Sequence, residues 1–135
     1  MGYSALEKTE LPAAAEAESA TFPAPIRRPG TEEYDQEIAG FQTAYRHRPA
    51  VVVAARHTED VRAAVEFAAR YALPVAVQAT GHGLSVAAEG GVLISTRGMT
   101  GIEIAPVSAS AWIQAGVRAG ALIEAAARHG LAPLT

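Results

Sequence analysis

The sequence predicts an α+β fold in which a βαβ unit leads into a mainly antiparallel sheet. Three observations carry this expectation. Ala50-Val51-Val52-Val53-Ala54-Ala55 is a continuous apolar, β-branched run, the pattern of a strand buried on both faces. Val61, Val65, Ala68 and Ala72 then recur at helical spacing, and Val75-Ala76-Val77 is a second short apolar run. Further on, Ile102-Glu103-Ile104 and Ala111-Trp112-Ile113-Gln114-Ala115 alternate in the manner of half-exposed strands.

Each element has its local reason. In the helix after Ala55, Thr58 can act as the N-cap, with Glu59 and Asp60 in the first turn. Phe67 and Tyr71 widen the apolar stripe, while Arg62, Glu66 and Arg70 lie off it. Leu73-Pro74 stops it. Val75 to Val77 reads as a second buried strand, completing a right-handed βαβ unit. Val92-Leu93-Ile94-Ser95 is a third apolar strand, after the loop Ala87-Ala88-Glu89-Gly90-Gly91. Ala121 to Arg128 reads as a helix with Gly130 at its C-cap.

Upstream, residues 1–25 are rich in Ala, Glu and Pro and read as a disordered leader, with room for a fraying helical turn or two from Ala13 to Ala20. Residues 26–48 form an entry segment. There Thr31 caps a helix whose apolar face is Tyr34, Ile38 and Phe41. His47, between Arg46 and Arg48, reads as a solvated surface residue, and Pro49 ends any helix before it. Residues 49–135 form the rest of one domain, and its apolar ending reads as a chain cut inside that domain.

The totals narrow the function. The net charge is -3 over 135 residues. It belongs to the leader, because acids and arginines balance from residue 26 onward. No basic patch suggests nucleic acid. No apolar run approaches the roughly 20 residues of a membrane span, and no secretory signal pattern opens the chain. There is no cysteine, hence no disulfide framework and no thiolate metal site, in keeping with a cytoplasmic location.

The stretch with chemical content is Gln78-Ala79-Thr80-Gly81-His82-Gly83-Leu84. It runs from a strand end into a histidine flanked by two glycines, whose backbones admit close approach by another molecule. Three readings stand. A phosphate loop would use converging backbone N–H groups. The dinucleotide fingerprint is matched only in its first two glycines, since Val86 holds the third place. A metal site would need partners, but His47, His57, His82 and His129 are scattered with no ligand spacing. A structural histidine would satisfy its ring nitrogens on nearby carbonyls.

The run from Arg48 to Thr135 resembles the start of the FAD-binding domain of the vanillyl-alcohol oxidase and p-cresol methylhydroxylase (PCMH) family, in its berberine-bridge-like branch. The matching segments come in the family's order. They are Arg48-Pro49-Ala50-Val51-Val52-Val53, Thr58-Glu59-Asp60-Val61, Leu73-Pro74-Val75-Ala76-Val77, the Gln78–Gly83 loop, Gly91-Val92-Leu93-Ile94-Ser95-Thr96, and Ala115-Gly116-Val117. Gln78 stands where the family has Arg, and Ala79-Thr80 where it has a small residue and Gly.

The resemblance implies a PCMH-type FAD-binding domain, truncated, within an oxidoreductase. Its flavin would take a hydride from an alcohol, sugar or amine carbon of a small-molecule substrate. Gln78, Ala79, Thr80, Gly81, His82, Gly83 and Leu84 would bind FAD, with His82 as the covalent site, and Thr135 would stand at the edge of a second FAD loop. No catalytic base is named by these residues, and turnover by the 135 residues alone is not expected. The alternative is a non-catalytic fragment or an FAD-binding module.

Overall fold

The computed structural model describes residues 10–84 and 86–134. Its elements are α1 (Ala13–Ser19), β1 (Ile26–Arg27), α2 (Glu32–Ile38), β2 (Val51–Ala54), α3 (Thr58–Arg70), β3 (Val75–Gln78), β4 (Val92–Ser95), β5 (Ile102–Ala105), β6 (Ser110–Ile113) and α4 (Ala119–Ala127). Four strands form one sheet in the order β1-β2-β4-β3. β4 runs parallel to both neighbours, aligning Val53 and Val77 on Ile94, and β1 is antiparallel to β2. β5 and β6 form a separate antiparallel hairpin. The α+β class is therefore as expected, with β4 inserted between the two strands of the βαβ unit.

The strand residues alternate between two cores. Val51, Val53, Val92 and Ile94 pack with Ala64, Phe67 and Ala68 of α3 and with Ala15 of α1. Val52 and Leu93 point the other way, against Tyr34 and Ile38 of α2. The central strands β2 and β4 are buried on both faces, as their unbroken apolar runs require.

Five expectations are corrected. The leader is not wholly irregular: α1 is helical and buries Ala15 completely, because Ala15 and Ser19 recur at helical spacing over the α3 core. The rest of that leader, residues 1–9, lies outside the described residues. β3 is not buried: it is the sheet edge, and Val75 and Val77 are 44% and 64% exposed. α3 buries Ala64, Phe67 and Ala68, while Val65 faces solvent. Its N-cap is His57, one residue before the expected Thr58, and the Asp60 carboxylate accepts from the backbone N–H groups of Arg56 and His57 at 2.8 and 3.1 Å. Phe41 lies past the end of α2 and is exposed.

Thr31 caps α2 as expected, its hydroxyl accepting from the Tyr34 N–H at 3.2 Å. Gly130 follows α4 in a left-handed conformation, with φ of 69°.

Candidate functional site

β2, β4 and β3 are parallel, so all three end on one edge of the sheet. In open α/β sheets that carboxyl edge is where ligands bind. The chain leaves β3 there at Gln78 and turns over an open cleft of about 400 Å³. The cleft is lined by Val77 to Leu84 and by Val86, so Gln78 and the six residues Ala79 to Leu84 all stand on it.

Gly81 makes the turn. Its φ is +73°, and an added Cβ would sit 3.0 Å from both the Gly40 Cα and the Gln78 Oε1. Only glycine fits that approach without strain. Gly83 is the opposite case: a Cβ there would meet nothing within 4 Å. Between them His82 is exposed, its ring centroid 4.9 Å from that of Phe41 at a tilt of 49°.

The loop rests on a set of polar contacts under the cleft. By its register Gln78 faces α2 together with Ser95. The Gln78 Nε2 donates to the carbonyls of Glu37 and Ala39 at 3.1 and 3.2 Å. These are C-terminal carbonyls of α2, which lack helical partners. Arg97 serves the same end: its guanidinium donates to the carbonyls of Gln36, at 2.8 Å, and of Ala39, and its Nε donates to Ala79 at 2.9 Å. A cation at a helix C-terminus is also favourable to the helix dipole. Ser95 Oγ donates to the Glu37 carboxylate at 2.5 Å, and the Phe41 N–H donates to the Thr80 carbonyl at 2.8 Å.

His47 is not a surface residue. It is 3% exposed, with Nε2 2.7 Å from the Gln78 Oε1 and Nδ1 accepting from the Ala88 N–H at 2.9 Å. Flanking arginines suggested solvent, but Arg46 and Arg48 point outward while the residue between them turns in. The one available signal was position: two residues later the buried pair Pro49-Ala50 leads into β2.

Gln78 is thus placed with its backbone at the cleft and its amide in the buried network. Thr135 lies outside the described residues. His57 and His129 are exposed and far along the chain from the loop. Among the described residues no three His, Cys, Asp or Glu side chains gather as a metal site. No helix there is long and apolar enough to cross a membrane. Sequence reasoning missed His47, Arg97, Gly40 and the contact of Phe41 with His82.

Comparison with known proteins places this geometry. A model described as the FAD binding domain matches residues 49–134. Glycolate oxidase subunit GlcD of Escherichia coli is 35% identical over 113 residues, covering 76% of this chain and 23% of that protein. The crystal structure of 6-hydroxy-D-nicotine oxidase from Arthrobacter nicotinovorans superposes with a TM-score of 0.72 at 27% identity, over 84% of this chain and 26% of the other. Chitooligosaccharide oxidase shares the fold with a TM-score of 0.76 at 20% identity, over 87% of this chain and 26% of the other. The chain therefore spans about a quarter of the length of the proteins it matches. By the match over residues 49–134, this chain belongs to the FAD-binding domain family, with FAD as its cofactor and the PCMH-type fold that its motif order resembles.

Proposed function

We propose that the chain supplies the FAD-binding portion of an FAD-dependent oxidoreductase, and that Gln78 to Leu84 are its cofactor loop. The observation that carries this reading is a glycine-flanked, exposed His82 on the wall of a cleft at the carboxyl edge of parallel strands. The residues fit the cofactor. The left-handed turn at Gly81 and the open backbone at Gly83 let main-chain N–H groups face a pyrophosphate. Ala79, Thr80 and Leu84 supply further lining. His82 would be the site of covalent attachment, at the methyl carbon of the flavin's 8-alpha position. Its imidazole nitrogen, a nucleophile when neutral, would replace one hydrogen of that methyl group, with the proton leaving to solvent and the two electrons passing through the flavin to oxygen or another acceptor. Thr135, which the resemblance puts at the edge of a second FAD loop, belongs to the same proposal.

FAD, once bound, supplies the redox chemistry, taking a hydride from an alcohol, sugar or amine carbon and passing electrons to oxygen or another acceptor. The chain's own part is to hold and orient it. A small-molecule substrate is carried over from relatives named for glycolate, 6-hydroxy-D-nicotine and chitooligosaccharide. A cytoplasmic location belongs to the same reading. A second reading, an FAD-binding module without turnover of its own, is favoured by one observation. The hairpin and α4 leave Ile113 and Ile123 exposed, and Trp112 is exposed on the opposite face of the hairpin, apolar surface suited to being covered by other protein.

The test is colour. The intact protein is expected to be yellow and to keep flavin absorbance after acid precipitation, and His82→Ala is expected to lose the acid-stable part. Acid-stable flavin in His82→Ala would overturn the covalent site, and a protein that takes up no FAD would overturn the cofactor loop.

A further inference from the structure

The geometry points to His47 as the positioning residue of the cofactor loop, a staple that ties the two ends of that loop together. The inference rests on the proposed cofactor site and adds to it a residue outside the matched FAD-binding segment, which begins at residue 49.

The hydrogen bonds have one consistent direction. Both donors of the Gln78 amide are used on the Glu37 and Ala39 carbonyls, so its Oε1 is left as an acceptor. His47 Nε2 lies 2.7 Å from that oxygen and must carry the proton. His47 Nδ1 must then be unprotonated, which is what the Ala88 N–H, 2.9 Å away, requires. The opposite tautomer would set two donors against each other at Ala88, and a protonated ring would do the same. His47 is thus fixed as the neutral Nε2–H form, with both nitrogens satisfied inside the protein.

The partners give this its meaning. Gln78 is the last residue of β3, where the loop begins, and Ala88 stands where the loop returns to the body of the protein. The adjacent backbone repeats the tie: the Arg48 N–H donates to the Ala88 carbonyl at 2.8 Å, and the Gly90 N–H donates to the Arg48 carbonyl at 2.9 Å. A loop with pinned ends has less freedom to lose when a ligand orders it, so the ends control affinity although His47 itself does not line the cleft.

The two contacts can be removed one at a time. In His47→Gln the amide nitrogen can take the place of Nε2 and keep the bond to Gln78, but the Ala88 N–H loses its acceptor. In His47→Asn the side-chain oxygen can take the place of Nδ1 and keep the Ala88 bond, but Gln78 loses its donor. The expected result for the intact protein is that both variants fold, and that each binds FAD about tenfold more weakly or worse, as for loss of one buried hydrogen bond. Hydrogen exchange without FAD separates them: the Ala88 amide loses protection in His47→Gln and keeps it in His47→Asn. Two results would overturn the role. One is FAD affinity within about twofold of wild type in both variants. The other is a loss of binding only in proportion to the fraction unfolded. A wild-type protein that takes up no FAD overturns the cofactor reading and the positioning role together. In that case the exchange pattern still reports whether the staple exists.

Discussion

The rings of Phe41 and His82 meet at a tilt of 49° with centroids 4.9 Å apart, although they are 41 residues apart in sequence and neither is buried. Phe41 is 70% exposed, and its ring meets the His82 imidazole. Its backbone N–H is bound to the Thr80 carbonyl, so the ring is delivered to His82 by a fixed main chain. Phe41→Ala is expected to change stability by about 0.5 kcal/mol or less, since little area is lost from the core. It should nevertheless slow flavin attachment, because the His82 imidazole loses the surface that orients it. The measurement is the rate at which acid-stable flavin accumulates when apoprotein is mixed with FAD. An unchanged rate would make Phe41 a bystander.

Two glycines should answer the same substitution in opposite ways. An added Cβ at Gly116 would lie 2.0 Å from the Thr96 carbonyl oxygen and 2.8 Å from that of Met99, so backbone must move. Gly116→Ala is expected to destabilise by about 3 kcal/mol, the upper range for overpacking. Gly83→Ala meets nothing, so the folded protein should tolerate it within about 0.5 kcal/mol. If the cofactor approaches the backbone there, Gly83→Ala weakens FAD binding while its urea melt is unchanged. Paired melts and FAD titrations of the two variants check both halves.

The same contrast shows what the sequence could reveal. β2 and β4 were legible because a run such as Val51-Val52-Val53 can only be buried on two faces, and both cores are built from it. That the chain leaves β3 in a turn was legible because Gly81 and Gly83 interrupt the apolar run, and Gly81 takes a left-handed φ. What was hidden depended on pairing order. Val75-Ala76-Val77 is as apolar as Val92-Leu93-Ile94, yet one is an edge and the other the centre. Composition does not distinguish them; the register does. His47 was hidden for a related reason. Its partners, Gln78 and Ala88, are brought to it only when β4 enters the sheet beside β2 and carries residues 88–90 with it.

Ala72 holds a conformation that suits glycine. Its φ is +52°, and α3 ends on it in a Schellman arrangement. The Leu73 N–H donates to the Ala68 carbonyl at 2.8 Å and the Ala72 N–H to Ala69 at 3.3 Å. A left-handed L-residue costs roughly 1–2 kcal/mol, and glycine costs roughly 0.5–1 kcal/mol in unfolded-chain entropy. Ala72→Gly is therefore expected to stabilise the protein by about 0.5–1 kcal/mol. Ala72 is exposed, so no packing is lost. A rise in the urea midpoint with an unchanged slope is the expected observation; a fall would mean that the Ala72 methyl does something this geometry does not show.

Tyr34 ties the entry helix to the domain, and its phenol makes that tie sensitive to alkali. Its hydroxyl donates to the Pro49 carbonyl at 2.7 Å, and the residue is 5% exposed. Burial first, and then the neighbouring Asp35 charge, raise the phenol above its ordinary pKa of 10.0; Arg46 opposes them and Glu89 adds to them. The sign follows from linkage. The folded state holds the proton more tightly than the unfolded chain does. The stabilisation is complete below the ordinary value and is lost as pH rises through the raised one. Tyr71, hydrogen-bonded to Glu18, is raised as well and contributes with the same sign from a half-buried position at the end of α3. Unfolding free energy should therefore fall as pH rises above the ordinary phenol value of 10.0. In Tyr34→Phe the protein should start weaker by about 1–3 kcal/mol, because the Pro49 carbonyl is left buried without its donor. Its decline with pH should be shallower, and Tyr71→Phe run alongside separates the two phenols. A Tyr34→Phe variant that lost stability with pH as steeply as wild type would show that the alkaline transition belongs to other groups.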